Sequence, residues 1–101
     1  MRVVREYKEP KGKYVSVELL VNDRCIIERL SITGDFFAFP QELIDEITLR
    51  SRGHNLINEK IDNLVVRILE GVEILGIRRD MLKNIILGVL REGRSRCAKK
   101  S

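Results

Sequence analysis

Hydrophobic and polar residues alternate along the first third of the chain. Within residues 13–21 every second side chain is apolar, which is typical of a strand with one buried face. These apolar positions are Val15, Val17, Leu19 and Val21. Because they share one face, that face is expected to lie on the core of the protein.

Two further strands are predicted on either side of this one in the sequence. Residues 2–8 are rich in β-branched and extended residues, and residues 26–32 place apolar side chains on one face. The expected buried residues of the third strand are Ile26, Leu30 and Ile32, with Glu28 as the exception. The connections are a Pro-Lys-Gly turn at 10–12 and Asn-Asp at 22–23, which predict an antiparallel meander.

After Pro40 the spacing of apolar residues changes to three and four, which predicts helices. The first helix starts at Pro40 and ends before Gly53, which suits a left-handed C-terminal position. The second has Asn58 or Asn55 as its N-cap, and the third starts near Asp80. The predicted apolar stripes are Ile57, Ile61, Leu64, Val65, Ile68 and Leu69 in the second helix, and Leu82, Ile85, Ile86, Val89 and Leu90 in the third.

The order of these elements predicts the fold class. Three strands followed by three helices indicate an α+β protein, in which a three-stranded antiparallel meander has the helices packed on one face of the sheet. The chain has 101 residues, enough for one domain with a modest core.

Charge is concentrated at one end of the chain. The net charge is +4, and residues 91–101 hold five Lys or Arg and one Glu, which also sum to +4; residues 1–90 therefore carry 14 basic and 14 acidic side chains. We expect residues 93–101 to form a basic, disordered C-terminal tail. The tail has no aromatic residue to stack on a base, so nucleic-acid binding is not expected.

The residue types needed for catalysis or metal binding form no recognisable motif. His54 is the only histidine, and nothing in the sequence brings it to Cys25 as a Cys-His pair. Cys25 is expected to be a small strand residue and Cys97 a free thiol in the tail. The glycines form neither a dinucleotide-binding motif nor a P-loop. No catalytic, cofactor-binding or metal-binding residue is predicted, and the sequence pattern favours a cytoplasmic protein without a membrane span.

Two short motifs resemble a known family. Tyr7-Lys8, Pro10 and Gly12-Lys13 form a "YK-x-P-x-GK" turn that leads into a strand. A later strand runs into Gly34-Asp35-Phe36-Phe37, followed by Phe39 and by Pro40 before a helix, as in "GDFF-x-x-P". In this order the motifs resemble the small C-terminal accessory domain of lipoate–protein ligase A, and the resemblance covers residues 1–92. Lys11 departs from the pattern, which often has a second glycine there.

The resemblance implies a function as well as a fold. It implies the SufE/NifU-like accessory-domain fold and, for a chain beginning with its own methionine, the small subunit of a split ligase. The separate large catalytic subunit would bind ATP, Mg²⁺ and lipoate, form lipoyl-AMP, and transfer the lipoyl group to a lysine of an acceptor. Acceptors of that kind are the E2 subunit of 2-oxoacid dehydrogenases and the H protein of glycine cleavage. The chain alone would be inactive.

The motifs also give the candidate interface or structural residues, which are Lys13, Gly34, Asp35, Phe36, Phe37, Phe39 and Pro40. Gly34 is expected to let the chain leave the third strand, and Asp35 to accept N–H bonds in the turn. Strand alternation points Phe36 and Phe37 to opposite sides, so two arrangements stay open. Either both side chains lie in the core, or one faces the large subunit, with Phe37 or Phe39 as the surface candidate. Two other functions stay open, an iron–sulfur scaffold or sulfur-transfer protein and a small RNA-binding domain that uses the tail.

Overall fold

The computed structural model describes residues 1–8, 10, 14–34, 41–72 and 77–100, with the side chains of residues 41, 99 and 100 left out. The elements are β1 (Arg2–Lys8), β2 (Tyr14–Val21), β3 (Ile27–Gly34), α1 (Gln41–Ser51), α2 (Ile61–Ile68) and α3 (Arg79–Lys100). Three strands precede three helices, which confirms the predicted α+β class. No helix within the described ranges is both long and apolar enough to cross a membrane.

The sheet is an antiparallel meander with the strand order β1-β2-β3. Arg2 pairs with Leu20 at one end of the β1–β2 ladder, and Lys8 pairs with Tyr14 at the other. β2 pairs with β3 from Val15 opposite Gly34 to Val21 opposite Ile27. β2 is therefore the central strand, and its hydrogen bonds hold both edge strands in register.

One face of the sheet carries the core, as the alternation in β2 predicts. Val15, Val17, Leu19 and Val21 are all at most 1% exposed. α3 packs on β1 and β2, while α1 packs on β3 and α2 joins the two other helices. The opposite face is polar and carries a shallow cleft lined by Arg2, Val4, Glu6, Ser16, Glu18, Arg29, Ser31 and Thr33. The helices therefore cover a single face, as predicted.

The third strand differs from its predicted phase. Ile27 is buried with Leu30 and Ile32, whereas Ile26 is only half-buried and precedes the strand. The pairing register shifts between Leu20 and Val21, so the alternation of β3 breaks once along its length. This irregularity also explains why Glu28, the exception in the pattern, is exposed.

The second helix begins later than the sequence predicts. α2 starts at Ile61, its N-cap is Lys60 without a side-chain cap bond, and Ile57 is 42% exposed. Asn55 Oδ1 accepts hydrogen bonds from the N–H groups of Ile57 and Asn58, at 2.8 and 3.3 Å. Asn55 thus stabilises a separate turn, and neither it nor Asn58 caps the helix. The predicted core stripe is confirmed from Ile61 onwards and is wrong at Ile57.

The segment expected to be a disordered tail is instead helical, because α3 continues to Lys100. Gly93 is buried on the core, beside Leu19 and Leu56. The guanidinium of Arg96 donates to the carbonyl of Arg2 at 3.2 Å. Contacts with residues distant in sequence thus stabilise the end of the helix, and local charge density did not predict them.

Both cysteines also differ from the expectation of separate thiols. Cys25 and Cys97 form a disulfide across 72 residues of sequence, with their Cα atoms 5.9 Å apart. Cys25 lies in the turn before β3 with φ at +63°, and it is 5% exposed. The bond joins this turn to the C-terminal part of α3.

Candidate functional site at one end of the sheet

The two motif segments leave the sheet at the same end. Lys8 and Tyr14 are paired neighbours and bound the segment 9–13, while Val15 pairs with Gly34, after which the segment 35–40 begins. Because the strands are antiparallel, the ends of β1 and β3 meet at the start of β2. The sequences "YK-x-P-x-GK" and "GDFF-x-x-P" are therefore attached to adjacent positions, although more than twenty residues separate them along the chain.

The N-terminal part of α3 lies at this same end. α3 runs antiparallel to β1, because Arg96 donates to the carbonyl of Arg2 at 3.2 Å and Glu92 pairs with Arg5 at 3.5 Å. Tyr7 consequently faces the first turns of the helix. The two elements form an open cleft of about 330 Å³ lined by Tyr7, Arg78, Asp80, Met81, Asn84 and Ile85.

The cleft presents aromatic, charged and apolar side chains. Tyr7 is 40% exposed, so it presents an aromatic face together with a hydroxyl group. Arg78 and Asp80 are exposed and supply charges of opposite sign. The lining contains no histidine or cysteine that could act as a nucleophile or a neutral base. Aromatic and arginine side chains of this kind are enriched at protein–protein contacts.

The structure describes only part of the predicted site. Gly34 is the last residue of β3 and is opposite Val15. The other candidate residues lie outside the described residues, and they are Lys13, Asp35, Phe36, Phe37, Phe39 and Pro40. The structure therefore shows where these residues connect to the sheet, which is the shared end of the three strands.

His54 and Cys25 come closer than the sequence suggests, but they do not form a catalytic pair. The N–H of Leu56 donates to the carbonyl of Cys25 at 3.0 Å, and the N–H of Ile27 to that of His54 at 2.9 Å. The Cys25 sulfur is held in the disulfide, and His54 Nδ1 lies 2.6 Å from Glu59 Oε2. Glu59 also accepts a bond from Arg67 at 2.8 Å. The histidine therefore belongs to a hydrogen-bond network with Glu59 and Arg67.

No metal site was found among the described side chains, where no group of three or more His, Cys, Asp or Glu residues could hold an ion. The sequence pattern does not identify Arg78 and Asn84 as lining residues. Both are polar positions on a long helix, and only the packing of α3 against β1 brings them to Tyr7. No periodic signal in the sequence could have identified them.

A scan of protein-family models and a search of curated proteins found no match to this chain.

Proposed function

We propose that this protein is the accessory subunit of a two-chain lipoate–protein ligase. A separate catalytic subunit carries the active site and binds ATP, Mg²⁺ and lipoate. This chain promotes the first step, in which lipoate attacks ATP to give lipoyl-AMP and pyrophosphate. The lipoyl group then passes to a lysine of an acceptor domain, such as that of a 2-oxoacid dehydrogenase E2 subunit or the glycine cleavage H protein.

The observation that carries this proposal is that the two motif segments start at the same end of the sheet. In an antiparallel meander the connection after β1 and the end of β3 lie at the same end of the sheet, so both motif segments begin there. Segments 9–13 and 35–40 start from paired strands beside the Tyr7 cleft. This shared end supports the proposal that both segments contribute to one docking surface.

A subunit without catalytic groups can still accelerate adenylation. The reaction requires the carboxylate, the α-phosphate and the metal ion to be aligned in a site with little water. A docked neighbour lowers the free-energy cost of ordering mobile loops around that site. The rate then depends on the fraction of catalytic subunit that is bound.

The iron–sulfur scaffold is the weaker alternative. A cluster is held mainly by cysteine thiolates, commonly four of them. The chain has two cysteines, and both are used in the Cys25–Cys97 disulfide. In this form neither sulfur is free to bind iron.

Reconstitution tests the proposal. A large lipoate ligase subunit that lacks an accessory domain is mixed with increasing amounts of this chain, and pyrophosphate release from ATP and lipoate is followed. We expect the rate of pyrophosphate release to rise and then saturate as the chain is added. The chain alone should release no pyrophosphate. A docking role is supported if the Phe37→Ala variant remains folded but must be added at a higher concentration to give the same rate of pyrophosphate release. A rate that is independent of the added chain would refute the proposal.

A further inference from the structure

The disulfide lies at the end of the sheet opposite the motif segments, and an open cleft exposes it. The cleft has a volume of about 440 Å³ and is lined by Met1, Asn22, Asp23, Arg24, Cys25, Ile57, Cys97 and Ala98. Most of its lining is apolar, and Ile57 is 42% exposed at its rim. This site is distinct from the Tyr7 cleft, and its role does not depend on the proposed ligase function.

The two sulfur atoms are held differently. Cys25 is 5% exposed, and its N–H and carbonyl are bonded to Asn22 and Leu56, both at 3.0 Å. Asn22 Oδ1 fixes the same turn by accepting from Arg24 and Ile26. Cys97 is partly exposed and lies in the last turns of α3. A reagent in the cleft therefore has better access to the sulfur of Cys97.

The charges around the disulfide do not decide which sulfur leaves. Arg24 and Asp23 both line the cleft, so the side chains beside Cys25 carry charges of both signs. In thiol–disulfide exchange the rate also depends on which sulfur the attacking thiolate can reach. Access to the partly exposed Cys97 therefore sets the direction of attack.

We propose that this cleft is a thiol–disulfide exchange site for small dithiols, which attack Cys97 and open the Cys25–Cys97 bond in the folded protein. The thiolate of the dithiol forms a mixed disulfide with Cys97, and Cys25 leaves as a thiolate that takes up a proton. The second thiol of the reagent then attacks the reagent's first sulfur, which is bonded to Cys97 in the mixed disulfide. Cys97 leaves as a thiolate and takes up a proton. The dithiol is oxidised to a cyclic disulfide, and both cysteines are reduced to thiols.

Opening the bond removes the covalent restraint on the end of α3. Gly93 still packs against Leu19 and Leu56, and Arg96 keeps its pair with Glu92. Beyond these contacts, residues 97–100 carry the basic end of the helix. The exchange site therefore couples a redox reaction to the order of the last helical turn.

The test is the rate of reduction of the native protein by dithiothreitol. We expect the rate to be proportional to the dithiothreitol concentration and unchanged by urea below the unfolding transition, because attack occurs in the folded state. Reduction through the unfolded state would overturn the proposal. In that case the rate of reduction would rise steeply with urea, and at high dithiothreitol concentration it would level off at the rate of unfolding. Hydrogen exchange should then show loss of protection confined to the peptide containing residues 97–100; unchanged protection after complete reduction would contradict the coupling.

Two further measurements test the geometry of the attack. Brief reaction with glutathione, followed by alkylation and peptide mapping, should find glutathione on Cys97 and the alkyl group on Cys25; the reverse pattern would refute the assigned direction. Ala98→Phe fills the cleft and should slow reduction by about tenfold through loss of access. Ser95→Phe is the control, because Ser95 is also exposed on α3 but does not line this cleft. Equal rates for both variants would show that the cleft is not the route.

Discussion

Gly93 of α3 lies directly against Leu19 of β2, so closely that a Cβ atom on Gly93 would be 2.8 Å from Leu19 Cδ2. The same atom would be 3.1 Å from Leu56 Cδ1. Both leucines are fully buried, so their methyl groups have little room to move. The absence of a side chain at position 93 therefore sets how closely the helix approaches the sheet.

We expect Gly93→Ala to destabilise the protein. Alanine favours a helix by about 1 kcal/mol relative to glycine, but overpacking a filled core costs about 1–3 kcal/mol. The net loss should be on the order of 1 kcal/mol in urea unfolding. A more stable variant would mean that Leu19 and Leu56 can rearrange freely.

Gly88→Ala in the same helix is the matched control. Its added Cβ would meet the guanidinium of Arg5 at 3.1 Å, and the Arg5 side chain is 51% exposed and can swing away. The gain in helix propensity is then retained, and the variant should be equal to or more stable than the parent by up to about 1 kcal/mol. If both glycine variants lose the same stability, packing does not distinguish the two sites.

Thr48 connects α1 to the edge of the sheet. Its hydroxyl donates to the carbonyl of Leu30 at 2.9 Å, and the bond is partly buried. Thr48→Val keeps the shape but removes the donor, so we expect a loss of about 1–2 kcal/mol in chemical unfolding. Thr33→Val, on the open face of β3, should change the stability by less than about 0.5 kcal/mol. If Thr48→Val leaves the free energy of unfolding unchanged, a water molecule replaces the hydroxyl as the donor to Leu30.

Arg79 satisfies carbonyl groups after the end of α2. Its guanidinium donates to Leu69 at 2.7 Å and to Val72 at 2.8 Å. Arg79→Met keeps much of the apolar stem and leaves both acceptors without this donor, so thermal unfolding should show a loss on the order of 1 kcal/mol. Arg78→Met provides the neighbouring control and should leave the melting temperature unchanged. Equal losses would point to a general charge effect.

Tyr7 tests the docking surface on which the proposed function rests. Tyr7→Ala should leave the chain folded and weaken binding to the catalytic subunit by about 1–2 kcal/mol, so that adenylation is lost at low concentration and recovers at high concentration. Val4→Ala is matched in strand and exposure, at 37% against 40%, but lies on the other sheet face. If only the Val4 variant binds weakly, the partner docks on the open face.

The predictable parts of the fold are those governed by local patterns. The alternation from Val15 to Val21 fixed the phase of β2, and the spacing from Ile61 to Ile68 indicated α2, because each element buries one face on its own. The position of Gly53 at φ +90° after α1 also agrees with its expected left-handed conformation.

The errors arose where distant contacts override local preference. The basic segment after residue 92 is helical because Gly93 and Cys97 contact residues more than seventy positions away in β2 and its following turn. For the candidate site, pairing of the strands predicts that the motif segments are neighbours. The Tyr7 cleft could not be predicted, since it depends on the orientation of α3 against β1.

The Cys25–Cys97 bond also determines how the chain would transmit mechanical force. A pull on its two ends would pass along residues 1–24 to Cys25 and cross the bond to Cys97, so that the 26–96 loop would carry no tension. At ~3.4 Å per extended residue, the first 24 residues could lengthen to about 80 Å, against about 340 Å for the whole chain without the bond. Under load the oxidised protein would be a short tether attached to a covalently closed loop that contains the sequences of β3, α1, α2 and most of α3.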